Sequence, residues 1–387
     1  MSDVRSAGRP SRAFRQRASA SLRRGRQARP AASLQVSDLL LAPASPAPAP
    51  IGGRLGFLAP VGRQLLRALP LSVLVLGVAI VLNFALPRLA PGNPIDFLIP
   101  AEQATLVTPE QRQELAASYG LDGSTWEQFT RYIANLAHGD LGISTRHGRP
   151  VTSLLAERLP WTLLLVGTSV VLSTLIGAGL GFRSAWRRGT KSDVRTLTGI
   201  MVIDSFPPFF VALLLVLLFS VTLQLLPVFG ALPAGETHGL ALVAEVARRA
   251  VLPIASLTLA GLGSAYLVAR SAAVAELGED YITMAAAKGL APAGVRRHAR
   301  RNALVPVWTV AMLNVGALFG GAAPVETVFA YPGLGRLIYE SVLSRDYPVL
   351  QGAFLLIAAG VIVANLVAEV VYPFLDPRVR RPGQAGS

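Results

Sequence analysis

Residues 279–306 read EDYITMAAAKGLAPAGVRRHARRNALVP, and the rest of the chain is organised around them. Glu279 and Asp280 put negative charge at a helix start, where it suits the positive end of the helix dipole. Ala285, Ala286 and Ala287 follow, with high helix propensity and almost no side-chain bulk. Lys288 suits the negative end, Gly289 is placed for a left-handed C-terminal cap, and Pro292 forbids simple continuation. Proline is tolerated at a first helical position, so a second helix is predicted to start at Pro292. On it Arg296, Arg297, Arg300 and Arg301 span an arc of about 140°, with Val295, Ala299 and Ala303 on the other side. The stretch is thus two short helices joined by a sharp turn, small on one face and basic on another.

Its flanks decide the fold class. The chain has 387 residues, 52% of them hydrophobic and 15% charged. Soluble domains carry about 25% charged residues, so the deficit, gathered into long uncharged runs, points to an integral membrane protein. Residues 68–87 are uncharged between Arg67 and Arg88, about 30 Å of helix and one hydrocarbon thickness. A cleaved signal peptide is the rival reading, but the segment preceding this run is far too long for a signal-peptide n-region, so an anchor is expected. Further spans are predicted at 159–182, 197–226, 250–269, 302–325 and 347–370. The third contains Pro207 and Pro208, which should kink or break it. The fifth is rich in Gly and Ala, suited to close packing inside a bundle.

Between the spans the charge alternates. The segments 183–195 and 270–301 and both termini are strongly basic, while 88–158, 227–249 and 326–346 are near balance. Basic loops stay on the cytoplasmic side, so six spans with both termini inside satisfy the pattern. The predicted class is all-α, a polytopic protein of six transmembrane helices. Residues 1–60 form a separate Arg/Ala/Pro-rich region, expected to be a disordered cytoplasmic tail. It reads either as a basic arm for anionic lipid or a partner, or as a solvated tail. The insertion 88–158 is expected outside the membrane, with short surface helices near 110–119 and 125–137.

Several chemistries are excluded. Cysteine is absent, and His138, His147, His238 and His298 lack metal-ligand spacing. No GxxxxGK[ST] loop cradles a phosphate, and no GxSxG elbow marks a hydrolase, so the chain is not read as an enzyme. The net charge of +14 is concentrated in loops beside apolar spans, which argues for lipid and protein contacts rather than nucleic acid. Asp204 is the one acid in the interior of a predicted span, and an intramembrane carboxylate is a functional candidate by default. It lies nine residues beyond Arg195, so snorkelling to the interface or hydrogen bonding at the proline kink are the competing readings. Glu369, near the end of the last span, is expected to pair with a neighbouring arginine.

The stretch at 281–306 resembles the EAA loop of binding-protein-dependent ABC importer permeases, in the first of the two permease subunits of the dipeptide/oligopeptide/nickel branch. AAAKGL at 285–290 and HARRNALVP at 298–306 are similar to that branch's ARAKGL and HALRNALLP. So are VETVFAYPGLGRLIYESVLSRDYPVLQG at 325–352 and DPRVR at 376–380. APGNP at 90–94, YGLD at 119–122, GDLGIS at 139–144 and LLPVFG at 225–230 extend the resemblance over roughly 64–381. The chain departs from it at Thr283–Met284–Ala285, in place of Glu-Ala-Ala, and at Asp204, where an uncharged residue is expected. Ala291 offers no capping side chain to the helix at Pro292, and Gly294 weakens that helix.

The resemblance implies a type I ABC importer permease fold in a bacterial inner membrane. It implies a second homologous permease, two ATPase subunits that use ATP and Mg, and an extracytoplasmic binding protein. This chain would bind no cofactor itself. The coupling loop would be 272–304, with Asp280, Ala285, Ala287, Lys288, Gly289, Arg297, His298 and Asn302 contacting the ATPase. The insertion 88–158 would dock the binding protein or lid the pore. Dipeptides or oligopeptides are the implied substrates, with nickel, glutathione or another small solute as alternatives and Asp204 as the candidate contact. A secondary carrier or channel is the competing class, but it calls for paired intramembrane charges or matching broken helices, and only one broken span is present.

Overall fold

The computed structural model describes residues 58–89, 108–118, 122–233, 235 and 237–375. The basic tail, PGNP at 91–94 and DPRVR at 376–380 lie outside these, as do most of the YGLD residues. Among the described residues the regular structure is helical, apart from one antiparallel bridge between Ile143 and Pro150.

Among the described residues eleven α-helices follow one another: α1 (Leu58–Leu89), α2 (Pro109–Ser118), α3 (Thr125–Ala137), α4 (Val151–Trp186), α5 (Lys191–Asp204), α6 (Pro208–Leu215), α7 (Gly239–Leu277), α8 (Asp280–Ala287), α9 (Pro292–Val328), α10 (Leu334–Ser344) and α11 (Tyr347–Leu375). Residues Val216–Thr222 continue α6 as a π-helical segment. Four helices are long and apolar enough to cross a bilayer, or five if α5 and the α6 segment form one bent span. The count by length and composition among the described residues is therefore four to five, against six expected. The remaining stretch, 302–325, lies within α9, which is 37 residues long.

The helices outrun the apolar stretches that predict them. α4 starts at Val151 and α7 runs for 39 residues, each carrying an internal proline, Pro160 and Pro253. The predicted second elbow helix and fifth span are one continuous helix, α9, despite Pro306 and Pro324. Pro207 and Pro208 do break the third span, by 95° between α5 and Pro208–Thr222. Proline removes a helix hydrogen bond and its ring clashes with the preceding turn, so two in succession force the bend. α10, inside the predicted polar loop 326–346, is an element the periodicity did not announce.

Burial separates centre from rim. In its most apolar window α7 is 56% buried, whereas α1 is 11% and α11 6% buried, so α7 is the central helix and the other two face outward. Small residues permit that centre. A Cβ at Gly177 would lie 2.8 Å from the Ala265 Cβ, and one at Gly181 would lie 2.6 Å from the Tyr266 carbonyl. Backbones thus meet directly between α4 and α7, as small residues allow in membrane bundles. Two buried clusters fill the bundle, one around Leu165, Leu257, Val325 and Tyr331 and one around Phe182, Ala269, Ala273 and Ala303.

Candidate functional site

The elbow begins with α8, entered from extended Glu279 with Asp280 in its first turn. At its far end the Gly289 N–H donates to the Ala286 carbonyl at 3.0 Å and the Leu290 N–H to the Ala285 carbonyl at 3.1 Å. With Gly289 at φ +81°, this is a Schellman cap, which satisfies the last carbonyls and turns the chain sharply. Leu290 then lies over Gly294, where a Cβ would come within 2.9 Å of the leucine Cγ. Gly294 therefore gives up helix propensity so that Leu290 can close the turn. Pro292 occupies the first turn of α9, and Ala291 makes no side-chain cap.

Three side chains fix the elbow to the bundle. Tyr281 Oη donates to Glu276 Oε2 at the end of α7. Asn302 Nδ2 of α9 donates to the same carboxylate oxygen at 3.2 Å and to Tyr281 Oη at 2.9 Å. Ile282, Ala299 and Ala303 are buried beside this network. Of the eight residues predicted to contact a partner, Asp280, Ala287, Lys288, Gly289, Arg297 and His298 are exposed and Ala285 is half-buried. Asn302 is half-buried and takes part in the network. Tyr281 and Glu276 went unpredicted, because nothing in sequence spacing links Glu276 to a residue 26 positions away.

The basic face stands as predicted, with Arg296, Arg297, Arg300 and Arg301 exposed. Val295 is half-buried, and Ala299 and Ala303 are buried on the opposite side. The Arg300 guanidinium lies 5.4 Å from the Phe182 ring centroid on α4, within cation–π range. Among the described residues none of the four forms an ion pair, nor does Lys288. Met284 and Leu290 are exposed apolar groups on the same elbow. The surface presented is thus small and apolar at the turn, with cations around it.

The two internal basic segments meet at one end of the bundle. Asp193, in the first turn of α5, accepts from Arg270 Nε at 2.9 Å and Nη2 at 2.8 Å, and from the Gly189 N–H at 3.1 Å. Ser184 Oγ donates to the same carboxylate and lies 2.7 Å from the buried Tyr266 hydroxyl. A bidentate Arg–carboxylate fork adds geometric specificity, so this pair sets the angle between α4, α5 and α7.

At the opposite end two buried carboxylates join segments far apart in sequence. Asp346 accepts from the Ser144 hydroxyl and from the Thr145 and Arg146 N–H groups, both at 3.3 Å. It thereby ties GDLGIS to the start of α11. Glu326 accepts from Thr162 Oγ1 at 2.6 Å and the Arg336 N–H at 2.9 Å, while Thr162 Oγ1 accepts from the Leu334 N–H at 2.7 Å. These acceptors satisfy the N-terminal donors of α10, which has no side-chain cap from Gly333. A side chain at Gly333 would collide with the Glu326 carboxylate. Both acids lie inside the 325–352 motif block, and spacing alone does not single them out. Also at this end, Asn83 and Gln351 exchange side-chain-to-carbonyl hydrogen bonds at 2.7 and 2.8 Å, joining α1 to α11. Phe129 and Tyr132 of α3 pack on Phe84.

Asp204 ends α5 at the break, exposed, with its carboxylate against the backbone of Gly263 on α7. Glu369 is half-buried and forms no ion pair among the described residues, so its expected arginine partner is not among them.

The family described as binding-protein-dependent transport system inner membrane component matches residues 173–381. The dipeptide transport system permease protein DppB of Escherichia coli is 35% identical over 319 residues, covering 77% of this chain and 93% of that protein. The di/tripeptide transport system permease protein DppB of Pseudomonas aeruginosa is 36% identical over 317 residues, with the same two shares. The oligopeptide transport system permease protein AppB of Bacillus subtilis is 32% identical over 319 residues, covering 82% of this chain and 98% of that protein.

Proposed function

Because the chain belongs to the family of inner membrane components of binding-protein-dependent transport systems, a multi-pass permease of the ABC class, we propose that it forms half of the translocation path of an ATP-driven peptide importer. The elbow carries the proposal. It is an exposed, small-residue turn ringed by cations and held to the ends of α7 and α9 by the Glu276–Tyr281–Asn302 network. A push on it is delivered to two long helices at once. The segment 272–304 is the coupling loop in this reading, with α8 seated in a groove of an ATPase and Lys288 and the arginines complementing acidic groups there.

Energetics require such a docked subunit. Moving a two-state gate from 1:99 to 99:1 takes about 5.5 kcal/mol of differential binding. This chain carries no Walker-type phosphate loop to supply it. Two ATPases would bind ATP and Mg, a second homologous permease would complete the path, and an extracytoplasmic binding protein would deliver peptide, docking on the 88–158 insertion. The Asp193–Arg270 pair brings the 183–195 and 270–301 segments to one end, which supports placing that end, and both termini, in the cytoplasm.

The test is reconstitution of this chain with its partner permease, ATPases and binding protein in proteoliposomes. ATP hydrolysis and uptake of labelled di- and oligopeptides are expected to depend on the binding protein and on this chain together. Hydrolysis at the same rate without this chain, or vesicles that take up no peptide, would overturn the proposal.

A further inference from the structure

Asp204 is the one acid within the span predicted at 197–226, and the elbow mechanism makes no use of it. Four observations bear on it. The carboxylate sits at a 95° break between α5 and α6, where the third span departs from a straight helix. It rests against Gly263 in the most buried helix of the bundle, at a place where any side chain would collide with it. Among the described residues it receives no hydrogen bond and forms no ion pair, although it is exposed on the surface of this chain. Two and six residues further along the chain, Phe206 and Phe210 stack at 5.5 Å between centroids, both exposed.

Its depth removes the snorkelling alternative. Arg270, the level of the Asp193 pair, lies seven residues beyond Gly263 on α7, about 10 Å along the axis at 1.5 Å per residue. An aspartate side chain is too short to cover that distance. The next residue on α7, Ser264, accepts from Asn314 Nδ2 of α9 at 3.0 Å, so the polar level continues onto a third helix. A bare carboxylate at this depth attracts a cation, and the negative faces of aromatic rings act in the same sense.

We propose that the Asp204 carboxylate, at the helix break that also carries the Phe206–Phe210 stack, is a transient contact for the protonated amine of a passing peptide. The proposal rests on the peptide-importer reading above. Two sources share that chemistry, the α-ammonium group and a lysine side chain. The contact holds the peptide at the break through a charge-assisted hydrogen bond, which is weak enough to release once the helices move.

The test uses the full complex in proteoliposomes, with labelled trialanine, Ala-Lys-Ala and N-acetyl-trialanine as probes. Asp204→Asn is expected to lower trialanine uptake about tenfold, the size of one charge-assisted contact. Asp204→Glu is expected to retain most of it, and the recovered amount of assembled complex to stay unchanged. An equal fractional loss for trialanine and Ala-Lys-Ala assigns the α-ammonium group that both carry, and a larger loss for Ala-Lys-Ala shows that the lysine amine also uses the contact. An equal fractional loss for N-acetyl-trialanine overturns the proposal, as does equal loss in the Asn and Glu variants. Failure of the Asn variant to assemble would assign Asp204 to a cation on the second permease and also overturn it. If wild-type vesicles carry none of the probes, the peptide-importer reading is what fails.

Discussion

Gly289→Ala and its companions at the same position test the coupling argument most directly. Gly289 holds φ at +81°, and a Cβ built there meets nothing within 4 Å. Substitution therefore adds no clash, and its cost is the left-handed backbone alone. For an L-residue with a Cβ that cost is about 1–2 kcal/mol, which lowers the relative population of the closed elbow roughly 5- to 30-fold. Asparagine visits this region more readily and should cost less. Proline cannot comply, since its ring holds φ near −65° and it lacks the N–H that reaches the Ala286 carbonyl. Peptide uptake and peptide-stimulated ATP hydrolysis in proteoliposomes should therefore rank glycine above asparagine, asparagine above alanine, and proline at zero. Recovery of the protein from the membrane fraction should be the same for all four, because the turn is exposed and outside the core. Wild-type uptake by Gly289→Pro would refute the coupling role, and asparagine falling below alanine would refute the left-handed argument for it.

Three further outcomes follow from the ties around the site. Arg270→Ala strands the buried Asp193 carboxylate and should lower stability by about 3–5 kcal/mol, with the double variant carrying Asp193→Asn recovering part of that, read as thermal unfolding midpoints in detergent. Additive effects of the two changes would show that the fork sets no angle. Gly181→Ala places a methyl 2.6 Å from the Tyr266 carbonyl and should cost about 1–3 kcal/mol, whereas Gly179→Ala meets nothing within 4 Å and should be neutral or better. Equal midpoints for the pair would argue against backbone contact between α4 and α7. Glu326→Ala leaves the Thr162 hydroxyl and the Arg336 N–H without their acceptor, at about 1–3 kcal/mol for each buried group, and should expose 329–346 to added protease. Glu326→Gln keeps an acceptor oxygen and should protect that segment substantially better than alanine; equal cleavage of both would count against the cap.

Much of the bundle was readable because its signals are local. A bilayer demands long uncharged stretches and helices that satisfy their own backbone, so 68–87, 159–182 and 250–269 marked helices that do form. The Gly289 turn was equally legible, since a left-handed cap depends on one residue's missing side chain and the few carbonyls before it. The run of Pro207 and Pro208 announced the break for the same reason, although its 95° angle did not follow from it.

What lay beyond the sequence were pairings between distant residues. Spacing along a helix constrains neighbours three and four positions apart, and it is silent on which residue will face another after the chain has crossed the membrane several times. Hence nothing in the spacing announced the hydrogen bonds of Asn302 to Glu276 and Tyr281, or those that join Asp346 to Ser144 and Glu326 to Thr162 across more than 160 positions. α9 runs through Pro306 and Pro324 because packing on α7, α8 and α11 outweighs a local penalty of roughly 3 kcal/mol for each proline. An all-α membrane protein with a basic elbow between two apolar stretches was legible from composition and spacing alone. Which polar groups hold that elbow, and which carboxylate, Asp204, is left exposed at a broken helix, depend on distances that exist only once the bundle has closed.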